Sequence, residues 1–310
     1  MRIAVLSDTR VPTKAEGGHG LGRMAWDIAD GLARRGHTIQ LWAGIESDIP
    51  RNGTLCVSDD ELTRAKNWSS AAEVIIDISH THALSTVKPD APVINWIADT
   101  EITYQPPRAV VGNAWQQKAF PSARIVPLGI DVDGIPFVSE TARDRVIMRG
   151  VHEYLAYAAK IHAAKGYDLA LSVHCQQSIP VRFVGERFVE AALPDWRANL
   201  NGEAFYHFIG WARGLLSPCR MDAGGRVNLE AAATGTPVLC LDWTGTRDHV
   251  EHGVSGFVCR DAVEMADAVQ DLPRLSRKMA RDWVRETHDR RVMVNRLEAL
   301  AQAVADGEMW

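Results

Sequence analysis

The stretch at residues 218–237, PCRMDAGGRVNLEAAATGTP, sets an acid, two glycines and a second acid at the mouth of a helix. Asp222 and Glu230 stand eight positions apart, with Gly224 and Gly225 between them. An apolar Ala/Leu run follows, then a Gly-Thr-Pro break and a β-rich segment over residues 238–242. A glycine turn that opens a helix lets free backbone N–H groups reach an anion, and the helix dipole favours negative charge there. Ionised carboxylates on either side suit hydroxyl groups, because each accepts several hydrogen bonds from a polyol. Phosphate together with a polyol describes a sugar nucleotide. An ordinary capped α/β helix with an acid in its first turn is the plainer reading of the same letters.

At 310 residues the chain is long for one domain and comfortable for two of about 150 each. An apolar content of 46% with 24% charged residues is that of a soluble globular protein. The net charge of −5 gives no global attraction to nucleic acid or anionic lipid. Cys56, Cys175, Cys219, Cys240 and Cys259 are widely spaced and lack any CxxC. They read as reduced thiols of a cytoplasmic protein rather than a disulfide or zinc framework. Residues 1–6 are too short for a signal-peptide core, and no apolar run approaches membrane-spanning length. A soluble, cytoplasmic chain without stable membrane insertion is expected.

Residues 2–7 form a β-rich run that reads as a buried first strand, and GGHGLG at 17–22 opens an amphipathic helix ending near Gly36. With a second strand at 39–43, the opening unit is βαβ. Further strands are expected at 74–78, 93–97, 109–111 and 124–126, which suits one open parallel sheet with helices on both faces. Periodicity lapses around 135–141. A second alternation then begins, with strands expected at 154–158, 181–184, 215–217, 238–241 and 256–258. The boundary falls near residue 140 on this reading. Residues 274–291 carry seven basic residues against three acidic ones, read as a solvated helix face.

The acid-x7-acid pattern of Asp222 and Glu230 resembles the signature of retaining glycosyltransferases with the GT-B architecture, family 4 type (glycosyl transferases group 1). That resemblance implies an α/β chain of two Rossmann-like, doubly wound domains facing a central cleft. Residues 1–140 would be the acceptor-side domain and 141–285 the nucleotide-sugar domain. Residues 286–310 would form a helix that packs back on the first domain. In that family the first acid is usually Glu and the turn usually carries an aromatic; here Asp222 and Gly224 stand in those places.

Other segments match in order and spacing. Gly17-Gly18-His19-Gly20 is similar to the family's glycine loop, which assigns Gly18 and Gly20 to the donor sugar and diphosphate. A NAD fingerprint is the competitor. It should follow the first strand at once and be matched by an acid ending the second strand, whereas strand two ends in Trp42-Ala43-Gly44. DISHTH at 77–82 resembles the family's Asp-x-x-His-x-His at a strand's carboxyl end, the edge where open α/β sheets hold ligands. His80 is favoured there for a sugar or phosphate contact, with His82 its rival. No third ligand supports zinc. PLGIDVD at 127–133 looks like the connector into the second domain rather than a metal-holding Asp-x-Asp, so no metal is expected.

AKIHAAKG at 159–166 resembles the family's Gly-Arg-x-x-x-x-Lys-Gly, which gives Lys160 and Lys165 to the donor diphosphate. Ala159 replaces the Gly and Lys160 the Arg, and a lysine is a point charge without the bidentate fork. WTGTRDHVEHGVSGFV at 243–258 resembles the Gly-Gly-x-x-Glu loop, which brings the backbone of Thr244 and Gly245 near the donor. The resemblance thus implies transfer of a hexosyl group from an NDP-sugar, UDP or GDP foremost, with retention and without a cofactor. Lys160 and Lys165 would neutralise the diphosphate with the backbone N–H groups of Gly225 and Arg226. Asp222 would hold sugar hydroxyls, Glu230 the ribose, and His80 a sugar or phosphate oxygen. The acceptor stays open among a glycan, a small molecule, a lipid-linked sugar and, less favoured, a nucleic acid. A sugar-nucleotide epimerase or hydrolase, or a non-catalytic binding module, are the alternatives.

Overall fold

A computed structural model of the chain describes residues 1–8, 12–15, 20–57, 72–79, 89–98, 105–148, 150 and 152–310. The chain divides into two compact units, Met1–Ile130 with Asp289–Trp310, and Asp131–His288. Each is an α/β unit around a parallel sheet.

In unit one, seven strands follow the chain: β1 (Arg2–Leu6), β2 (Thr38–Trp42), β3 (Gly53–Cys56), β4 (Val74–Asp77), β5 (Val93–Ile97), β6 (Ala109–Val111) and β7 (Arg124–Ile125). They lie in the order β3-β2-β1-β4-β5-β6-β7, every described pair parallel. A parallel sheet is covered on both faces, so its inner strands read as continuous apolar runs. β4 (VIID) and β5 (VINWI) are buried at every position. Strand β3 escapes the sequence reading because it is a partly exposed edge strand without an apolar run. Helix α1 (Gly20–Arg34) follows β1, and the short α2 (Ala114–Ala119) is capped by Asn113, whose side chain accepts the Gln116 N–H.

Unit two has β8 (Leu155–Ala158), β9 (Val181–Val184), β10 (Trp196–Arg197), β11 (Gly214–Ser217), β12 (Val238–Leu241) and β13 (Gly256–Cys259), ordered β10-β9-β8-β11-β12-β13. Its helices are α3 (Glu140–Met148), α4 (Tyr167–Gln176), α5 (Gly202–Gly210), α6 (Arg226–Thr234), α7 (Ala262–Ala268) and α8 (Arg277–Thr287). Alternation splits each strand between two cores. Leu155, Tyr157, Phe183, Leu216 and Leu239 share one, while Ala156, Val184, Leu215, Val238 and Cys240 share the other. Each fully buried aliphatic or aromatic side chain contributes about 1.5–3 kcal/mol. The two-residue β10 lies where no element was expected, too short to leave a periodic trace.

The chain then returns to unit one as α9 (Arg290–Ala305), capped by Asp289. Helix α9 packs on α1, and Gly31 makes the close contact possible: a Cβ there would sit 2.4 Å from Val294 Cγ2. Arg290 reaches Asp30 at 3.0 Å, and Glu298 accepts from both Arg35 and His37 at 2.7 Å. The passages between units fall at 130/131 and 288/289, not near 140 and 285. Ile130 bridges to Asp289 within unit one, whereas the aperiodic segment after it is a surface of unit two. There Val138 N–H donates to Thr234 O at 2.9 Å.

Part of the basic run at 274–291 is spent internally. Arg277, 5% exposed, donates to Val138 O (2.7 Å), Ala212 O (3.2 Å), Thr236 Oγ1 (2.8 Å) and Gly210 O. Arg281 reaches Val132 O and Ile135 O at 2.8 and 2.9 Å, and Arg285 pairs with Asp133 at 2.5 Å. Arg274, Lys278, Arg290 and Arg291 each have a carboxylate partner. Arg277, Arg281 and Arg290 thus tie α8 and α9 in place, while Arg274, Lys278 and Arg291 keep the expected solvent exposure.

Burial pushes the Arg277 pKa down to about 10, so it stays charged at neutral pH. Arg277→Ala strips buried carbonyls of their donor and is expected to destabilise the protein by about 3–5 kcal/mol, measured by urea denaturation. A loss under about 1 kcal/mol would contradict the tie.

His249 is fully buried, its ring 5.1 Å from and perpendicular to that of His288, and neither ring nitrogen has a hydrogen-bond partner among the described residues. Burial, then the neighbouring His288, holds its pKa down at about 3. The unfolded chain takes that proton near pH 6.5. The stabilising contribution is thus complete above pH 6.5 and falls as pH drops toward 3, by up to about 1.4 kcal/mol per pH unit. His249→Phe should remove this part of the slope between pH 6 and pH 4 without loss at pH 7. Parallel acid profiles for both proteins would contradict it.

Candidate functional site

Strand order reverses between β8 and β11, so the loops leaving their carboxyl ends diverge around a topological switch point, where open α/β sheets hold ligands. After β8 the chain passes Lys160 and a 3₁₀ turn, Ala163–Lys165, then Gly166, which enters α4 with φ 71°. After β11 it passes Pro218, Cys219 and Arg220 to Asp222 and the turn before α6. The two loops touch at Gly166: a Cβ there would lie 1.9 Å from Pro218 O. Ala164 O accepts the N–H groups of Arg220 (2.9 Å) and Met221 (3.1 Å). The Arg220 guanidinium grips Asp168 through two bonds of 2.6 and 2.7 Å, and that grip holds the Asp168 carboxyl below its ordinary pKa. From the strand side, the buried Tyr157 hydroxyl lies 3.2 Å from Lys160 O and 3.1 Å from Lys165 O.

These ties bring Lys165 and Asp222 face to face. Lys165 Nζ is 2.5 Å from Asp222 Oδ2, and Asp222 Oδ1 accepts the N–H groups of Gly224 (3.0 Å) and Gly225 (3.1 Å). Burial opposes both charges, yet the pairing prevails. Asp222 is held below the ordinary carboxylate range by Lys165 and the two amides, and Lys165 is held above the ordinary lysine value by Asp222. Both side chains keep some exposure, 28% for Lys165 and 21% for Asp222, so the pair faces solvent at one edge.

Gly225, with φ 58°, is the N-cap of α6. Arg226 opens the helix and donates from Nε to Glu230 Oε1 at 3.0 Å; both side chains are largely buried. Beyond β12, Thr244 caps a 3₁₀ turn, Gly245–His249, and its Oγ1 lies 2.9 Å from Thr246 Oγ1. This segment packs on the α6 entry. A Cβ on Gly225 would come within 2.8 Å of Thr246 Cγ2, and Asn228 Nδ2 donates to Thr246 O at 3.2 Å.

The residues singled out in the sequence thus fall into groups. Lys165, Asp222, Gly224 and Gly225 form one cluster; Arg226 and Glu230 sit on the same helix, and Thr244 and Gly245 join through Thr246. Lys160 has a different partner: its exposed ammonium lies 5.2 Å from the ring centre of Phe188. Gly20 begins α1 in unit one. Gly18 and His80, with the rival His82, lie outside the described residues. Near their strand ends, Ser79 donates through N–H (2.9 Å) and hydroxyl (2.6 Å) to the buried Asp77, and Thr13 Oγ1 donates to Ser7 Oγ at 2.7 Å. Sequence reasoning missed Asn228, Arg220 and Asp168. A polar Asn between Val227 and Leu229 was a signal for the first; the Arg220–Asp168 grip joins residues 52 positions apart and leaves no local trace.

The family model described as Glycosyl transferases group 1 matches residues 154–274. No curated protein matches the chain in a sequence comparison. Among solved structures, the chain is similar to AviGT4, a glycosyltransferase involved in Avilamycin A biosynthesis. The TM-score is 0.78 at 15% identity, over 100% of this chain and 99% of that one. It is similar to Alr3699/HepE of Anabaena in complex with UDP-glucose, with a TM-score of 0.75 at 14% identity, over 97% of this chain and all of that one. Sucrose-phosphate synthase from Thermosynechococcus elongatus gives 0.73 at 12% identity, over 99% of this chain and all of that one. The matched residues lie wholly within unit two and contain the Lys165–Asp222 cluster. Residues 154–274 of unit two thus match the group 1 glycosyltransferase model, and the chain has the GT-B fold of these solved glycosyltransferases.

Proposed function

We propose that the protein transfers a hexosyl group from a UDP- or GDP-sugar to an acceptor with retention of configuration, and needs no metal to do so. The observation that carries this reading is the meeting of Lys165, Asp222 and the α6 entry at the switch point of unit two. Alr3699/HepE, of similar fold, binds UDP-glucose, which favours a nucleotide-sugar donor here.

In this reading the Asp222 carboxylate stands on the donors that a diphosphate would use. A diphosphate arriving there takes over the Lys165 ammonium and shares the positive end of the α6 dipole. The carboxylate, released from Lys165, is then placed for sugar hydroxyls. As the bond between sugar and diphosphate breaks, negative charge grows on the leaving phosphate and positive charge on the sugar ring. A fixed cation at the phosphate stabilises that separation more than it stabilises the ground state. The departing phosphate oxygen takes the acceptor proton on the same face, which gives retention. Glu230, held by Arg226 inside α6, serves the ribose. Lys160 lies outside this cluster and adds a second cation only by leaving Phe188. Asp133 of the Asp-x-Asp is engaged by Arg285, which fits a connector rather than a metal ligand.

Lys165→Ala is expected to slow donor turnover by about 10²–10³, as for loss of one fixed electrostatic contact. Glu230→Ala is expected chiefly to raise the donor KM. Nucleotide release from UDP- and GDP-hexoses follows both. Full activity in both variants would contradict these roles.

A further inference from the structure

We infer that Asn228 is a positioning residue that makes the α6 entry and the 244–246 turn move as one piece, an inference that rests on the donor-site reading above. Asn228 is fully buried in the first turn of α6, flanked by the apolar Val227 and Leu229. Its backbone N–H donates to Gly225 O at 2.9 Å, so its own place is fixed by the glycine turn. Its side-chain N–H donates to Thr246 O at 3.2 Å, and its Oδ1 is buried without a hydrogen-bond partner among the described residues.

A buried amide that satisfies one end and not the other is a poor choice for packing, since an apolar residue of that size carries no such cost. Asparagine is also a mediocre helix former. What the side chain supplies is a single directed bond to the backbone carbonyl of the neighbouring segment. Against the α6 entry that segment otherwise makes, among the described residues, only the contact of Thr246 Cγ2 with Gly225, its other side-chain bonds running to Asp242 through Arg247 and between the two threonine hydroxyls. The partner carbonyl belongs to the residue directly after Gly245. A shift of the 244–246 turn therefore changes the distance between the two groups assigned to the donor, while the Lys165–Asp222 pair stays in place. Small displacements of positioned groups carry large effects on binding and rate.

Asn228→Asp keeps the shape and removes the donor, setting a carboxylate against the Thr246 carbonyl; Asn228→Ala removes the arm altogether. Two measurements are made on the full chain: amide hydrogen exchange over 244–249, and calorimetric titration with UDP and GDP. The expected result is exchange about tenfold faster in 244–249 with α4 protection unchanged, together with nucleotide affinity at least about tenfold weaker in both variants. Should one variant not fold, the other carries the same two readings. A lower Tm with unchanged nucleotide affinity would mean a structural role only and overturn the inference, as would unchanged exchange over 244–249. If the wild-type protein binds neither nucleotide, the donor-site reading fails and the positioning role falls with it. The exchange measurement separates that case, because it reports the tether without any ligand.

Discussion

The backbone of Gly166 lies against the carbonyl of Pro218, and the Lys165–Asp222 pair of unit two depends on that approach. Strands β8 and β11 are neighbours, but their following helices diverge from the switch point, so the intervening loops would part. A side chain at 166 would force them apart; the left-handed glycine lets them touch. The Ala164 carbonyl and the Arg220–Asp168 fork then fix the register of one loop on the other. Lys165 is the residue just before Gly166 and Asp222 lies four residues after Pro218, so the ion pair results from how the backbones meet.

Charge is used in two ways in this unit. Arg277 and Arg281 are satisfied by backbone carbonyls and act as fixed struts. Lys165 and Asp222 are satisfied by each other and by two amides, at the edge of the solvent. A partly exposed ion pair adds little to stability, because screening and desolvation offset its attraction. In the function proposed, its value lies in holding a cation and a carboxylate in place for exchange with an incoming anion and polyol.

Most of the framework was legible in the sequence. Parallel strands such as VIID and VINWI announce themselves by unbroken apolar runs, and the Asp222–Glu230 segment by glycines ahead of an apolar helix. The edge strands β3 and β10 were not legible, since short, half-exposed strands lack periodicity. The unit division was displaced because residues 131–139 are aperiodic yet packed on unit two, held by Arg281 and Thr234. Arg277 and Arg285 of the basic run escaped for a related reason: their partners, Val138, Ala212 and Asp133, are far away in the chain. Within the site, spacing identified Lys165, Asp222 and Glu230 but could not say which would pair. Arg226 faces Glu230 by i,i+4 spacing on α6, whereas the loop contact decides that Lys165 faces Asp222.

The most direct test of a nucleotide-sugar site in unit two is thermal unfolding with UDP, GDP, ADP and dTDP, each in the presence of EDTA. Binding at a hundredfold excess over Kd adds about 2.7 kcal/mol of stability, enough to raise Tm by several degrees. The account predicts a rise with UDP or GDP that persists in EDTA and disappears in Lys165→Ala. No rise with any of the four nucleotides would contradict it.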